Sequence, residues 1–118
     1  MVILPNQMCI ENVSVTSENG NDICRLSSEE IQFPLYVRTR KEGDKIAVKG
    51  MKGHKKINDI FIDNKIPSRK RDTWPIVVDS LDNIVWLPGL KKTQFDRTKD
   101  GKYDIILKYY LKKEGFDE

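Results

Sequence analysis

Most apolar residues of this chain lie in short runs in which they alternate with polar residues, which points to a fold built mainly from short strands. The clearest run covers residues 35–40, where Leu35, Val37 and Thr39 fall on one face. The side chains between them fall on the opposite face, as in a β-strand. Further strands are predicted at residues 8–16, 23–26, 45–48, 76–79, 84–87 and 103–111.

One stretch in the middle of the chain has helical spacing instead. Ile57, Ile60 and Phe61 share one face of a helix predicted over residues 55–65. Pro67 then begins a second short helix, because proline is tolerated in a first helical turn. Two short helices among many strands indicate an α+β fold with a mostly antiparallel, β-sandwich-like core and two short central helices.

The length of 118 residues predicts one domain with a single hydrophobic core. Within it, residues 1–34 are N-terminal strands and a lead-in where no motif can be placed. Residues 35–111 carry the recognisable motifs and form the predicted core. Residues 112–118 are predicted to be a frayed tail.

Positive charge is concentrated in the central third of the sequence. Residues 1–34 carry one Lys or Arg against five Asp or Glu, residues 35–75 carry twelve against five, and residues 76–118 carry eight of each. The central third therefore has a net charge of +7, in a chain whose total is only +3. A local excess of this kind is typical of nucleic-acid-binding proteins, although a solvated lysine-rich surface gives the same pattern.

Several classes of function lack the residues that they need. The sequence has no Gly-x-x-x-x-Gly-Lys-Ser/Thr phosphate loop and no histidine motif beside either cysteine. Cys9 and Cys24 are predicted to be reduced, buried thiols, and with His54 as the only histidine no metal site is expected. No apolar run reaches the roughly 18 residues of a membrane span. No signal peptide is recognisable either, so a cytoplasmic location without a membrane partner is predicted.

Two basic segments precede the second helix. Residues 49–54 form a glycine-rich loop that leads to Lys55 and Lys56 at the predicted helix start, where free backbone N–H groups attract anions. Arg38 and Arg40 project from one face of their strand, two residues apart. Both groups suit phosphate, although an exposed loop that tolerates the lysines, or pairing of the arginines with neighbouring acids, would explain them as well.

A third basic segment follows Pro67, and two aromatic residues accompany the cations. Tyr36 and Trp74 are the candidates for contact with a base or ribose, whereas the other aromatic residues are predicted to be core. The predicted nucleic-acid contacts are Tyr36, Arg38, Arg40, Lys52, Lys55, Lys56, Arg69, Lys70 and Arg71.

An ordered series of motifs runs through residues 35–110. It comprises Arg-Thr-Arg-Lys-Glu-Gly-Asp at 38–44, Gly-His-Lys-Lys-Ile-Asn-Asp-Ile-Phe-Ile-Asp at 53–63, Ile-Pro at 66–67, Trp-Pro-Ile-Val at 74–77 and Ile-Val-Trp-Leu-Pro-Gly at 84–89. In this order the motifs resemble the C-terminal domain of bacterial tRNA(Ile)-lysidine synthetase. The resemblance also implies a fold similar to a domain of the phenylalanyl-tRNA synthetase β subunit.

The resemblance implies that the chain belongs to a larger ATP-dependent ligase, which converts the wobble cytidine of an isoleucine tRNA to lysidine. ATP and lysine would be used by an N-terminal domain whose Ser-Gly-Gly-x-Asp-Ser loop does not occur here. This chain would bind tRNA, notably the acceptor stem, would hold no cofactor and would be inactive alone. Its partners would be tRNA and its own catalytic domain, and the sequence leaves a homodimer open.

The resemblance implies roles in tRNA contact for individual residues of this chain. Matching candidates for tRNA contact are Arg38, Arg40, Lys55, Lys56 and Arg71. The alternative is an interdomain or dimer docking module without RNA contact, using apolar positions near Ile62 and Trp74. Structural roles are predicted for Gly43, Asp44, Gly53, Asp63, Pro67 and Gly89.

Overall fold

The computed structural model describes residues 2–3 and 7–112, which form an α+β fold of antiparallel strands and two short helices. None of its helices is long and apolar enough to cross a membrane, as far as the described residues go. In chain order the elements are β1 (Val2–Ile3), β2 (Met8–Val13), β3 (Ile23–Leu26), β4 (Tyr36–Arg38), β5 (Lys45–Ile46), β6 (Lys55–Lys56), α1 (Ile57–Asp63), α2 (Ser68–Arg71), β7 (Ile76–Val78), β8 (Ile84–Leu87), β9 (Lys91–Lys92) and β10 (Ile105–Leu111).

Two four-stranded sheets make up most of the fold. The first has the order β1-β2-β10-β3, and the second has the order β4-β7-β8-β9. A separate pair joins β5 to β6. In the first sheet β10 pairs with β2 on one side and with β3 on the other, so that Tyr109 lies opposite Ile10 and Leu107 lies opposite Cys24. Strands from residues 1–34 therefore build this sheet together with a strand from the far end of the chain.

One hydrophobic core joins both sheets to α1. Trp86 from β8 and Phe61 from α1 are fully buried within it. Trp74 bridges the layers, because its ring centroid lies 6.3 Å from that of Phe61 and 6.2 Å from that of Tyr109. The aromatic contacts therefore tie the helix to β10, as ring pairs at these separations do in protein cores.

The first predicted helix is shorter than the sequence pattern indicates. It begins at Ile57 rather than Lys55 and ends at Asp63 rather than Lys65. Lys55 and Lys56 are strand residues because they pair with β5, a partner ten residues earlier that helical periodicity does not reveal. The buried face of Ile57, Ile60 and Phe61 is confirmed.

Other boundaries also differ from the sequence prediction. Pro67 is the N-cap of α2 rather than its first helical residue. The strand predicted at 8–16 ends at Val13, and the strand predicted at 103–111 begins at Ile105. The strand predicted at 45–48 is only two residues long, followed by a single bridge between Val48 and Thr93. The hairpin of β7 and β8 is confirmed.

The predicted tail lies mostly outside the described residues, which end at position 112. The backbone N–H of Lys112 donates to the carbonyl of Gln7 at 2.7 Å. Both thiols are free and buried, Cys9 in β2 and Cys24 in β3. Burial raises the pKa of Cys24, and the neighbouring Asp96 carboxylate adds to this effect.

Gly89 is required by its surroundings as well as by its backbone. Its φ is +79°, and a Cβ at this position would lie 2.9 Å from Cε2 of Tyr109. Its N–H donates to the carbonyl of Asn21 at 2.9 Å. The turn after β8 therefore packs directly against the first sheet, since a side chain here would have to displace the Tyr109 ring.

Candidate nucleic-acid interface

Arg38 is held inside the molecule by two carboxylates. Its two terminal nitrogens donate to the oxygens of Asp44 at 2.9 Å each, and its Nε donates to Asp82 at 2.9 Å. A carbonyl contact to Thr39 and a longer contact to Asp82 occupy its remaining N–H groups. Because a guanidinium has five N–H donors, all of them have acceptors within the chain.

The burial of this pair strengthens its electrostatics. The side chains of Arg38 and Asp44 are only 15% and 11% exposed. The Asp44 hydrogen bonds raise the pKa of Arg38 above its ordinary value. Burial raises the pKa of Asp44, but bonds from Arg38 and from the Lys41 N–H outweigh it, so the net shift is downward. Contact between Arg38 and tRNA would therefore require the guanidinium to leave two carboxylates.

Arg40 occupies a more exposed position between the two helices. Its NH2 donates to Asp72 at 2.8 Å, and its NH1 donates to Asn58 at 2.6 Å. Its guanidinium carbon lies 5.9 Å from the centroid of the Phe61 ring. Asp72 is 73% exposed, so this pair is accessible to solvent and contributes little to stability.

The lysines of β6 have different surroundings. Lys55 donates to Asp63 at the end of α1 at 2.6 Å. Lys56 is exposed. Both lysines precede α1, a helix of seven residues, instead of lying in its first turn as predicted.

The remaining predicted cations are mostly exposed. Lys52 lies in the loop before β6, and Arg69 and Lys70 lie on α2 without a buried residue in that helix. Arg71 is half-buried, and its Nε donates to the carbonyl of Ile66 at 2.7 Å. Within residues 7–112, neither Lys52, Arg69, Lys70 nor Lys56 forms an ion pair.

The two aromatic candidates for contact with a base or ribose differ in their exposure to solvent. Tyr36 is 54% exposed and lines a shallow apolar groove. Trp74 is buried, and its Nε1 donates to the carbonyl of Pro88 at 3.0 Å. The prediction that Trp74 contacts a base is therefore wrong, because its ring fills the core. The docking alternative used apolar positions near Ile62 and Trp74. Of these two residues Ile62 is exposed, whereas Trp74 is buried.

The residues predicted to be structural occupy turns and ends of elements. Gly43 and Gly53 have φ of +82° and +75°, which only glycine adopts without strain. Asp44 receives Arg38, and Asp63 pairs with Lys55. Gly43 lies within the turn in which the Asp44 N–H donates to the carbonyl of Lys41 at 3.2 Å.

The structure brings only some of the predicted contacts together. Arg40 joins α1 to the end of α2 through Asn58 and Asp72, so the side formed by both helices carries several of the cations. Arg38 faces the β7–β8 turn through Asp82 and lines a different groove. The predicted site is therefore not one continuous surface of free cations.

Sequence reasoning missed a group of lysines in the loop after β5 and around β9. Lys49 donates to the carboxylate of Asp96, whose side chain is fully buried, and Lys92 lies 4.0 Å from the same carboxylate. Together with Lys91 and Lys99, these two lysines line one groove. The last third of the sequence is neutral overall, so charge counting gave no signal there. The adjacent Lys91-Lys92 pair after a tight turn was the one local indication.

Comparison with known proteins places this fold in a family. A profile described as "TilS substrate C-terminal domain" matches residues 35–107. The chain belongs to this family. A solved structure, "Crystal structure of TILS C-terminal domain", is similar with a TM-score of 0.81 and 38% identity, covering 94% of this chain and 89% of the other.

Curated relatives from this family are longer proteins. The tRNA(Ile)-lysidine synthase of Bacillus subtilis is 44% identical over 115 residues, covering 95% of this chain and 24% of the relative. The enzyme of the same name from Bacillus licheniformis is 53% identical over 95 residues, covering 80% of this chain and 20% of the relative. The chain thus spans about a quarter or less of the length of these relatives.

A more distant solved structure has the same fold. It is an N-terminal fragment of the phenylalanyl-tRNA synthetase β subunit from Pyrococcus horikoshii, with a TM-score of 0.59 and 14% identity. The match covers 88% of this chain and 28% of the other. This likeness confirms the fold implied by the sequence resemblance.

Proposed function

We propose that this chain is the tRNA-binding C-terminal domain of an ATP-dependent ligase that converts the wobble cytidine of an isoleucine tRNA to lysidine. The observation that carries the proposal is the match of residues 35–107 to the family profile, together with relatives named tRNA(Ile)-lysidine synthase. The chain covers 20% and 24% of those relatives, so the use of ATP and lysine is assigned to other parts of the protein. The acceptor stem is the proposed contact, and the cytoplasm the proposed location.

The surface chemistry supports binding through phosphates rather than reading of bases. Lys52, Lys56, Arg69 and Lys70 are exposed and form no ion pair with any described residue. Arg38 and Arg40, by contrast, are already hydrogen-bonded to carboxylates. Exposed lysines and arginines bind phosphate through charge, which favours affinity over sequence specificity.

The isolated chain is therefore expected to bind an isoleucine tRNA in a strongly salt-dependent manner. For about four phosphate contacts, the affinity should fall roughly 50- to 150-fold between 50 and 200 mM salt, because each contact releases condensed counterions. Replacing Lys56 and Lys70 together by alanine should lower the slope of log affinity against log salt by roughly 2. Filter binding across a potassium chloride series measures both quantities.

A matched control is the double replacement of Lys102 and Lys112 by alanine. Both are exposed and lie outside the predicted contacts, so the charge change is the same. A wild-type chain that does not bind tRNA even at low salt would contradict the proposed function. Hydroxyl-radical footprinting tests the proposed contact with the acceptor stem. Protection of the tRNA only outside that stem would contradict this contact and leave the proposal of tRNA binding intact.

A second candidate function, docking to another protein surface, is favoured by exposed apolar side chains. Phe33, Tyr36 and Leu81 are each more than half exposed. The N–H of Ser80 donates to the carbonyl of Gln32 at 2.8 Å, which places Leu81 beside the segment of Phe33. Patches of this kind mark interaction sites. If this patch holds a second copy, light scattering should detect a dimer that Leu81→Asp dissociates, and a monomeric wild-type chain would exclude that arrangement.

A further inference from the structure

A groove of about 450 Å³ lies between the loop before β3, the loop after β5, and β9 with the turn that follows it. We call it the lysine groove, because Lys49, Lys91, Lys92 and Lys99 line it. None of the described residues that line it carries a carboxylate. Four cations from three separate segments of the chain therefore converge on one concave surface.

A buried carboxylate, that of Asp96, contacts two of the lysines that line the groove. Asp96 accepts hydrogen bonds from Lys49 Nζ, from the N–H of Arg25 at 2.9 Å and from the N–H of Thr98 at 3.2 Å. Its carboxylate balances one of the four lysines. Three positive charges consequently remain at the groove without compensation from its lining.

Lys92 is the most informative of these lysines, because its side chain is only 11% exposed. Its Nζ lies 4.0 Å from Asp96, too far for a hydrogen bond, and donates one long bond of 3.5 Å to the hydroxyl of Thr98. Burial lowers the pKa of Lys92, and the neighbouring Lys49 adds to this effect, while Asp96 opposes it. An ammonium has three N–H donors, and one of them is used by this long bond, so the others are available to an anion in the groove.

The walls of the groove allow a backbone to approach closely. Gly20 and Gly50 both line it, with φ of +95° and +80°. A Cβ built at either position would meet nothing within 4 Å, so the space in front of them is open. Glycine walls together with lysines are how proteins admit phosphate groups to contact distance.

The lysine groove continues into a second concavity of about 410 Å³. The two share Lys49, Gly50 and Lys99. The second adds Lys52, one of the predicted tRNA contacts, and Arg97, together with the carboxylates of Asp96 and Asp100, which are paired with Lys49 and Arg97. Lysines spread along two adjoining grooves suit a polymer with successive phosphates better than they suit one small anion. Each lysine can neutralise a different phosphate of the polymer.

We propose that the lysine groove binds the phosphodiester backbone of RNA, with Lys91, Lys92 and Lys99 as its phosphate contacts. This inference rests on the proposed function and locates the RNA on a surface that the family motifs do not mark, apart from Lys52 at its edge. Lys92, whose side chain is mostly buried, supplies the charge that aligns one phosphate. The half-buried Lys91 and the exposed Lys99 follow the backbone on either side.

The test compares two double variants of the 118-residue chain, using an isoleucine tRNA transcript as the probe. Lys91→Ala with Lys99→Ala removes two groove cations that form no ion pair within the described part of the chain. Lys102→Ala with Lys112→Ala is the matched control outside the groove. The groove variant should bind at least tenfold more weakly at moderate salt, with a salt slope lower by roughly 2, whereas the control should change much less.

The outcomes separate the two proposals. If both double variants bind tRNA with the same affinity and slope, the groove inference is overturned while the proposed function stands. If the wild-type chain does not bind tRNA at low salt, both are overturned. A titration with inorganic tripolyphosphate, monitored through the amide chemical shifts of Gly50 and Thr98, adds a further readout. If tripolyphosphate shifts these amide signals but the groove variant binds tRNA as tightly as the wild-type chain, the groove is a site for small anions only. That result also overturns the inference.

Discussion

Replacing Asp96 by alanine is expected to lower the free energy of unfolding by about 3–5 kcal/mol, the loss typical of breaking a buried charge pair. The side chain of Asp96 is fully buried and accepts hydrogen bonds from Lys49 and from the backbone of Arg25 and Thr98. Its removal would leave a buried N–H without an acceptor and the ammonium groups of Lys49 and Lys92 without a counter-charge. Urea denaturation at pH 7 measures the loss.

Asp59→Ala is the control for this experiment. Asp59 is exposed in the first turn of α1, where a carboxylate interacts favourably with the helix dipole, so a loss below about 1 kcal/mol is expected. Equal losses for the two variants would contradict the role assigned to the Asp96 carboxylate. Such a result would mean that water or side-chain movement compensates for its absence.

The dependence of stability on pH gives an independent check on the role of the Asp96 carboxylate. Burial raises the pKa of Asp96, but the Lys49 ammonium and the N–H of Arg25 outweigh it and hold the pKa below its ordinary value. Because the folded-state pKa is lowered, this stabilisation is present above the unfolded pKa of about 3.9 and is lost as pH falls through the folded value. The difference between wild type and Asp96→Ala should therefore shrink below about pH 4.

Replacing Arg38 by alanine is expected to cost about 2–3 kcal/mol of unfolding free energy, somewhat less than a fully buried pair would. Arg38 joins β4 to the turn of Asp44 and to the β7–β8 turn through Asp82. Its loss would leave the 11% exposed carboxylate of Asp44 without its guanidinium partner. Urea denaturation of this variant and of an Arg38, Asp44 double-mutant cycle measures the coupling.

Arg40→Ala is the matched control, since it removes the same side chain two residues further along. The partner of Arg40, Asp72, is 73% exposed, so the expected loss is below about 1 kcal/mol. If Arg38→Ala is as mild as Arg40→Ala, the carboxylate contacts of Arg38 contribute little to stability. That result would restore Arg38 as a candidate for tRNA contact.

Local patterns in the sequence were sufficient for the elements that depend on neighbouring residues. The alternation at residues 35–40 predicts β4, and the spacing of Ile57, Ile60 and Phe61 predicts the buried face of α1. The β7–β8 hairpin follows from two apolar runs around a short turn. These features depend on side-chain periodicity, which a single sequence displays directly.

Features that depend on distant partners could not be predicted in the same way. Lys55 and Lys56 pair with β5, which shifts the helix start by two residues. The strands β2 and β3 carry no recognisable motif, yet they flank β10 from the opposite end of the sequence. The carboxylates that hold Arg38 come from two turns 38 residues apart in the chain, at positions 44 and 82. A count of charges by segment cannot show such pairings.

The position of β10 has a consequence for how the molecule acquires its structure. In the first sheet β10 lies between β2 and β3, so those two strands have no hydrogen-bonded neighbour in common until it arrives. The ribosome makes β10 after all the other described strands, so the edges of β2 and β3 that pair with β10 stay unpaired until then. Contacts of such large sequence separation slow folding, because the loop-closure entropy is lost before they form. Nascent chains arrested before residue 105 should accordingly be good substrates for chaperones.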